Sequence, residues 1–310
     1  MTKTAAILPV SDAPPLYLPF EAGTFRMAMG LIAQPLSALF EIDCNYAAEM
    51  ALRRELLAER HGEVFGALDE SAEARRATLD LVVRHLPQHH PAWFVRAGSR
   101  LLNRLTGEEW DVAQPSCDPL ELAGRLVQED LCLLEPGANG PRLTAAVLCF
   151  PSRWSLAEKL GRPMAEIHGP VPFFAERLAG PVERFMAHLK PGRLVERLNW
   201  SVHDDPALFQ PLGHGRTDLN PAITMANAGY TLWLRVERQT LSRVPGTEAI
   251  LFTIKTYRRP LAEIVALPGM AARLAAAVRA LPPEMARYKS LPAIQEVLLA
   301  FLDGVATAGG

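Results

Sequence analysis

The sequence predicts an α+β fold, in which helices flank a mostly antiparallel sheet. Ala, Leu, Glu and Arg, which favour helices, dominate residues 43–60 and 71–86. Five later stretches between residues 130 and 257 are instead rich in Val, Ile, Thr and aromatic residues, which are typical of strands. Helical patterns return over 260–303, with a break at the LPP sequence. The expected order along the chain is therefore helices, sheet, helices.

The first part of the chain is expected to hold an extended segment followed by helices. Residues 1–22 are rich in proline and are expected to lie on the surface. Asp43 is a possible N-cap of the first helix. The second helix, over 71–86, is expected to end at Pro87 because proline disrupts a helix interior. A third helix is expected over 119–128.

Strands are predicted from residue 130 onwards. DLCLLEP and LTAAVLCFP flank the glycine-containing connection GANG, which indicates a hairpin. Ser155, Glu158 and Gly161 have the spacing of the cap, the capping-box glutamate and the terminal glycine of a short helix. An amphipathic helix is expected over 173–189, and three more strands are expected within 193–257.

Composition and motifs argue against several classes of protein. A net charge of −2 gives no electrostatic reason to expect nucleic acid or anionic lipid as a partner. No apolar run approaches the roughly 20 residues that span a bilayer, and the short, proline-bounded apolar start is not typical of a signal peptide. The four cysteines show no CxxC spacing, which fits reduced thiols, so a cytoplasmic protein is expected. Glycine-rich phosphate loops, GxGxxG, GxSxG and HExxH are all absent from the sequence.

A histidine in a stiff segment is the first candidate for chemistry. In AEIHGPVPFF, Pro170 and Pro172 fix φ and remove two backbone donors, so this segment can be neither a helix interior nor a central strand. His168 therefore projects from a rigid connection, and its apolar neighbours predict partial burial. A buried neutral imidazole is a good iron ligand. A hydrogen-bonded core histidine without a ligand is the commoner alternative.

Two predicted strands carry polar side chains on one face. Alternation in LWLRVERQT places Arg235, Glu237 and Gln239 on the same face. RLNWSV places Arg197 and Asn199 in a similar alternating row. Such a face either contacts solvent, as one face of an antiparallel sheet often does, or lines a polar pocket.

Other histidines carry a weaker signal. His203 follows the predicted strand RLNWSV and has metal-ligand spacing to Asp205, but no third ligand is near in sequence, so turn chemistry is favoured. His89 and His90 follow the second helix and are expected in an exposed loop.

Several long stretches together resemble a known family. QEDLCLLE, CFPSRWSLAEKLGRPMAEIHGPVPFF, RLNWSVHDDPALFQP, LRVERQTLSRVP and LFTIKTYRRPL are similar to sequences of the haem-dependent oxidative N-demethylases. This family is related to the haem subunit of dimethylamine monooxygenase. FRMAMGL and IDCNYAAEM fit the same pattern, so the likeness runs over about residues 18–285.

The resemblance implies a single haem-binding α+β domain over residues 23–305, after the extended segment 1–22. Its core, over about 129–258, is expected to be a PAS-like antiparallel sheet with inserted helices, flanked by N- and C-terminal helices. The cofactor implied is haem b with a histidine ligand, bound non-covalently since the sequence has no CxxCH.

The activity implied is oxidative N-demethylation of a small alkylamine such as dimethylamine, with O2 as oxidant and formaldehyde as a product. Electrons are expected from a separate NADPH-dependent reductase subunit with flavin and iron–sulfur centres, because this chain has no motif for either. PAS-like folds often sense ligands, so a haem-binding sensor or carrier without catalysis is the alternative. No output module is visible in the sequence, which favours the enzyme.

The resemblance also gives the candidate residues roles. His168 is the expected iron ligand, with His203 as runner-up because it directly follows a strand. Glu237 is expected to attract the cationic amine, and Arg235 and Tyr257 complete the expected catalytic set. Arginine is suited to haem propionates because its planar fork binds both carboxylate oxygens. The residues expected to bind haem besides His168 are Arg197, Asn199, Arg238 and Gln239.

The last predicted strand and a long connection add to this site. Tyr257, Lys255 and Thr253 share one face of that strand and are expected to complete the pocket. Residues 212–227 are expected to form a lid, a partner surface or an ordinary loop.

Overall fold

The structure is a computed structural model that describes residues 13–308, and it confirms an α+β fold. The strands are β1 Ile32–Gln34, β2 Phe65–Ala67, β3 Phe94–Ala97, β4 Arg100–Asn103, β5 Glu108–Asp111, β6 Asp130–Glu135, β7 Arg142–Val147, β8 Leu194–His203, β9 Trp233–Arg243 and β10 Ile250–Pro260. All strand pairs are antiparallel, in a seven-stranded sheet of order β1-β8-β9-β10-β6-β7-β2 and a three-stranded sheet of order β3-β4-β5.

Helices lie before, within and after the large sheet. Those before β6 are α1 Tyr46–Glu59, α2 His61–Val64, α3 Ala72–His89 and α4 Pro119–Gly124. Those inserted between β7 and β8 are α5 Met164–Ile167, α6 Phe174–Arg177 and α7 Ala179–His188, and α8 Ala228–Thr231 precedes β9. Those after the sheet are α9 Leu261–Val265, α10 Met270–Arg279, α11 Pro283–Tyr288 and α12 Gln295–Ala308, and short 3-10 turns occur at Leu36–Ala38, Asp69–Ser71 and Leu291–Ala293.

The predicted strands and the hairpin are confirmed. β6 and β7 pair antiparallel on either side of the GANG connection, and β8, β9 and β10 form a meander in continuous register. Strand β1 pairs only with the first three residues of β8. The outer edge of β8 beyond Glu196 is therefore left without a strand neighbour among residues 13–308.

Several predicted helix boundaries are wrong. α3 continues through Pro87 to His89, because its buried face still packs in the core and the His90 amide closes the last turn on the Leu86 carbonyl at 2.8 Å. The third helix ends at Gly124, four residues early. The N-cap of α1 is Asn45 rather than Asp43.

The predicted helices around the inserted segment also differ. Residues 155–161 form turns instead of a helix, because the amide of Gly161 donates to the carbonyl of Leu143 and the segment is tied to β7. The amphipathic helix predicted over 173–189 is split at Leu178 into α6 and α7. The LPP break is confirmed, although the C-terminal region holds four helices instead of two.

The large sheet is covered on both faces. One face packs against α1, α3 and α4 through a cluster that includes Met50, Val82, Leu120 and Leu133. Part of the other face packs against α7 and the turns before it through Leu134, Leu156 and Met186. A separate cluster joins the C-terminal helices to β8 and β9.

The N-terminal segment is more buried than predicted. Phe20 is only 1% exposed and packs edge-on against Trp200, with the guanidinium of Arg273 over its ring. The surface placement expected for residues 1–22 is therefore wrong at Phe20, while residues 1–12 lie outside the described range. Among residues 13–308, no helix is long and apolar enough to cross a membrane.

Candidate functional site

Four side chains form a polar patch on one face of the large sheet. Arg197 and Asn199 of β8 stand directly opposite Gln239 and Glu237 of β9, so the four side chains share this face, as alternation requires. Glu237 Oε2 accepts hydrogen bonds from Asn199 Nδ2 at 3.2 Å and Gln239 Nε2 at 2.8 Å. Glu237 Oε1 has no hydrogen-bond partner within residues 13–308. One oxygen of the carboxylate is thus held in place, and the other keeps its capacity to accept a hydrogen bond.

Arg197 contributes an unpaired cation to the polar patch. Its Nε is fully enclosed and has no hydrogen-bond partner in the described part of the chain. Burial lowers the pKa of the guanidinium, while the charges of Glu237 and Tyr288 act to raise it. No carboxylate among residues 13–308 lies within ion-pair distance of it. A guanidinium in this state fits a ligand carboxylate.

Two residues that the sequence did not indicate complete the polar patch. Lys289 follows α11 and donates from Nζ to Asn199 Oδ1 at 3.2 Å and to the Trp200 carbonyl on the free edge of β8. Burial lowers the pKa of Lys289 to about 8 and raises the pKa of Tyr288 to about 12. Ser290, with φ at +56°, turns the chain sharply after them. No local pattern could have revealed a contact between positions 90 residues apart in sequence.

His168 follows the single turn of α5, in the stiff connection that the two prolines predict. Its Nδ1 lies 3.0 Å from the Met164 carbonyl oxygen, and its ring stacks on Phe174 at 4.5 Å between centroids. Because a carbonyl oxygen only accepts, Nδ1 carries the proton and Nε2 keeps a lone pair. Burial lowers the pKa of His168 to about 4, with further lowering from Lys159 and Arg197. The imidazole is therefore neutral at pH 7.

His203 lies elsewhere, at the end of β8. Gln210 Nε2 donates to two backbone carbonyls, so its Oε1 accepts from His203 Nδ1 at 2.8 Å. Burial lowers the pKa of His203 to about 3, and Arg153 and Arg235 lower it further. Gln210 and Arg153 also line a cleft of about 340 Å³. The two candidate iron ligands thus have different charged neighbours, which are Lys159 and Arg197 for His168 and Arg153 and Arg235 for His203.

Arg235 serves the fold rather than the polar patch. All three of its guanidinium nitrogens donate, to Ser152 Oγ at 2.7 Å and to the carbonyl oxygens of four residues at 2.8–3.1 Å. These contacts tie β9 to two loops and engage each of the three nitrogens. The expected catalytic role of Arg235 is therefore not supported by its geometry. The four carbonyl acceptors belong to Phe150, Pro151, Ala207 and Leu208.

Arg238 and Tyr257 lie on the opposite face of the sheet, so grouping them with Glu237 in one pocket was wrong. Arg238 Nε donates to Glu196 Oε2 at 2.6 Å and lies 3.4 Å from a Glu41 carboxylate oxygen. The hydroxyl of Tyr257 donates to the same Glu41 carboxylate. Both side chains hold the segment after β1 against the sheet.

Lys255 and Thr253 share that opposite face with Tyr257. Lys255 Nζ lies 2.9 Å from Asp43 Oδ2, and both side chains are almost fully buried. Thr253 Oγ1 bonds to Thr240 Oγ1 at 2.7 Å. The three residues do share one face of β10, as predicted, but it is not the face that carries Glu237.

The donor types at and beside the polar patch fit a haem. A neutral histidine with a free Nε2 suits iron, and Arg197, which has no ion-pair partner among residues 13–308, suits a propionate. A small cavity of about 50 Å³ lies beside Met164 and Phe174, but neither His168 nor Arg197 lines it. Residues 13–308 hold no cluster of three His, Cys, Asp or Glu side chains suited to a metal ion, and a single histidine ligand to haem needs none.

Comparison with known proteins gives one family match that covers most of the chain. The model of the haem-dependent oxidative N-demethylase, alpha subunit-like family matches residues 30–299. The match includes the stiff His168 segment, the polar patch and both strands that carry it. The chain therefore belongs to the haem-dependent oxidative N-demethylase, alpha subunit-like family.

Proposed function

We propose that this protein is a haem-dependent monooxygenase subunit that oxidatively N-demethylates a small alkylamine of the dimethylamine type. In such a reaction the methyl group leaves as formaldehyde and the demethylated amine is released. O2, two electrons and two protons are consumed, and the second oxygen atom leaves as water. A non-covalently bound haem b supplies the activation of O2.

The observation that carries the proposal is that a carboxylate and a histidine of the kind that binds iron both lie near the same cationic side chain. Glu237 is fixed through Oε2 and leaves Oε1 available, His168 is fixed through Nδ1 and leaves Nε2 available, and Arg197 is close enough to lower the pKa of His168 and to be influenced by Glu237. The chain thus has one group for an ammonium, one for iron and one for a propionate.

Each of these residues then has a distinct role. His168 would bind the iron through Nε2, and its bond to Met164 would hold the ring and keep the tautomer. Arg197, whose Nε is enclosed and unpartnered among residues 13–308, would bind a haem propionate, which supplies the anion that the guanidinium lacks there. Glu237 Oε1 would accept a hydrogen bond from the substrate ammonium. The bonds from Asn199 and Gln239 to Oε2 would hold the carboxylate in its orientation.

A PAS-like core is proposed on the same basis. The sheet from β6 to β10 is antiparallel with short helices inserted between β7 and β8, which is the arrangement expected of such a core over about residues 129–258. We propose one haem-binding domain over 23–305. The family's description as an alpha subunit indicates a partner subunit, proposed to be an NADPH-dependent reductase with flavin and iron–sulfur centres.

The proposal is tested by absorption spectroscopy followed by an activity assay. The protein is expressed with ample haem precursor, and its spectrum is recorded as purified and after dithionite and carbon monoxide. A Soret band that shifts with carbon monoxide, together with formaldehyde release from dimethylamine when O2 and a reductant are supplied, supports the enzyme. A Soret band without formaldehyde from any N-methylated amine supports the sensor or carrier. Failure to bind added haemin contradicts both.

A further inference from the structure

The polar patch holds more positive charge than an alkylammonium substrate needs. Lys289 and Arg197 provide two cations around the single carboxylate of Glu237, and no ion pair within residues 13–308 joins either of them to it. If Arg197 binds a haem propionate, as proposed above, Lys289 remains as the cation of the polar patch that has no anion in direct contact within residues 13–308. A simple dialkylammonium bound at Glu237 would lie near this like charge, so it would bind less tightly than a ligand whose own carboxylate faces Lys289.

Asn199 holds the two charges side by side. Its Oδ1 accepts from Lys289 Nζ at 3.2 Å while its Nδ2 donates to Glu237 Oε2 at 3.2 Å. The amide thus bonds to both the ammonium and the carboxylate, which form no direct ion pair with each other among residues 13–308. Each charged group keeps capacity for another bond, since Glu237 Oε1 has no partner in the described chain and the lysine ammonium has used two of its three donors.

The edge of β8 explains part of the position of Lys289. The Trp200 carbonyl on this free edge requires a donor, and Lys289 supplies it while lying over the Trp200 ring at 5.4 Å. A structural role at the edge uses one donor and the Asn199 bond uses a second. The remaining donor and the whole positive charge are without a carboxylate partner in residues 13–308.

We infer that, among small N-methylated amines, the site prefers an N-methylated amino acid, whose ammonium is bound by Glu237 and whose carboxylate is bound by Lys289. Such a zwitterion carries a positive nitrogen and a carboxylate two bonds apart, which complements a fixed carboxylate and ammonium that bond to the same amide. This assignment rests on the proposed N-demethylase function and specifies its substrate class. Lys289 acts here as a specificity-determining residue.

The test compares ligands before it compares variants. Isothermal titration calorimetry on the haem-loaded protein at pH 7 uses three probes: N-methylglycine, N-methylglycinamide and dimethylamine. The amide keeps the size of N-methylglycine but removes its negative charge. We expect N-methylglycine to bind at least about 10-fold more tightly than either other probe, as the loss of one hydrogen bond to a charged group predicts.

Lys289→Met is then expected to abolish the preference for N-methylglycine. Lys190→Met, at an exposed lysine after α7, is the matched control and should keep that preference. Equal or tighter binding of dimethylamine or N-methylglycinamide to the wild-type protein would overturn the inference without any variant. Persistence of the preference in a folded, haem-loaded Lys289→Met protein would do the same. Failure of the proposed function is seen separately, as absence of formaldehyde from all three probes under O2 and reductant.

Discussion

The Nδ1 atom of His168 lies 3.0 Å from the carbonyl oxygen of Met164, one helical turn earlier in the chain. This bond fixes both the direction of the ring and the position of its proton. Pro170 and Pro172 follow at once, so the backbone after the histidine is equally restricted. A side chain held in this way presents Nε2 in one direction with little loss of conformational freedom on binding.

Replacement of the proposed iron ligand should abolish haem binding. His168→Ala is expected to lose the Soret band and to remain folded by circular dichroism. His188→Ala is a matched control, because its Nδ1 also lies near the carbonyl one turn earlier, at 2.7 Å from Arg184 O, but the side chain is exposed. If His203→Ala loses haem while His168→Ala keeps it, the assignment of the ligand is wrong.

Removal of the carboxylate from the polar patch should weaken amine binding and leave haem in place. Glu237→Gln keeps the shape of the side chain, and its loss of charge should raise the dissociation constant for an N-methylated amine by about 10- to 100-fold. The measurement is calorimetric titration of the haem-loaded variant. Glu158→Gln, at an exposed residue, should bind as the wild type does. Unchanged affinity in Glu237→Gln would remove Glu237 from the proposed site.

Stability should fall on acidification through a buried histidine remote from the polar patch. Burial lowers the pKa of His85 to about 3, and the neighbouring His89 and His90 lower it further. Between the ordinary histidine pKa of about 6.5 and the folded-state value, the unfolded chain therefore binds one more proton there than the folded chain does. The free energy of unfolding should decrease by about 1.4 kcal/mol for each pH unit lost in this range from His85 alone.

The measurement for His85 is urea unfolding of the wild type and of His85→Phe at about pH 7.5, 6.0 and 5.0, which spans the start of the expected fall. The variant should lose stability less steeply with falling pH, since a phenylalanine side chain takes up no proton. His188→Phe, at an exposed position, should keep the wild-type slope. Identical slopes for wild type and His85→Phe would show that His85 does not resist protonation.

The buried ion pair on the opposite sheet face should contribute to folding but not to ligand binding. Lys255→Met leaves Asp43 charged and buried, at an expected cost of about 3–5 kcal/mol in the free energy of unfolding. Adding Asp43→Asn should recover much of that loss. Arg60→Met removes the exposed pair with Glu63 and should cost less than about 1 kcal/mol. A change in amine affinity in Lys255→Met without loss of haem would contradict the separation of the two faces.

Local sequence patterns determined the strand faces, the restricted segment around His168 and the hairpin of this protein. Strand alternation placed Arg197, Asn199, Glu237 and Gln239 on one face, and the register of β8 and β9 places them together. The prolines after His168 restricted its segment, and the hairpin around GANG formed as its residues predict. These features depend on φ, on turn chemistry and on a two-residue period, all of which are set by neighbouring residues.

The tertiary structure decided which groups meet across long sequence separations. Only packing showed that Glu41 receives both Arg238 and Tyr257 on the face opposite Glu237. Lys289 reaches Asn199 because the C-terminal helices return to the free edge of β8. Helix α3 extends through Pro87 because its burial in the core outweighs the local preference of proline. Such contacts depend on the burial of apolar faces between distant elements, which no short stretch of sequence encodes.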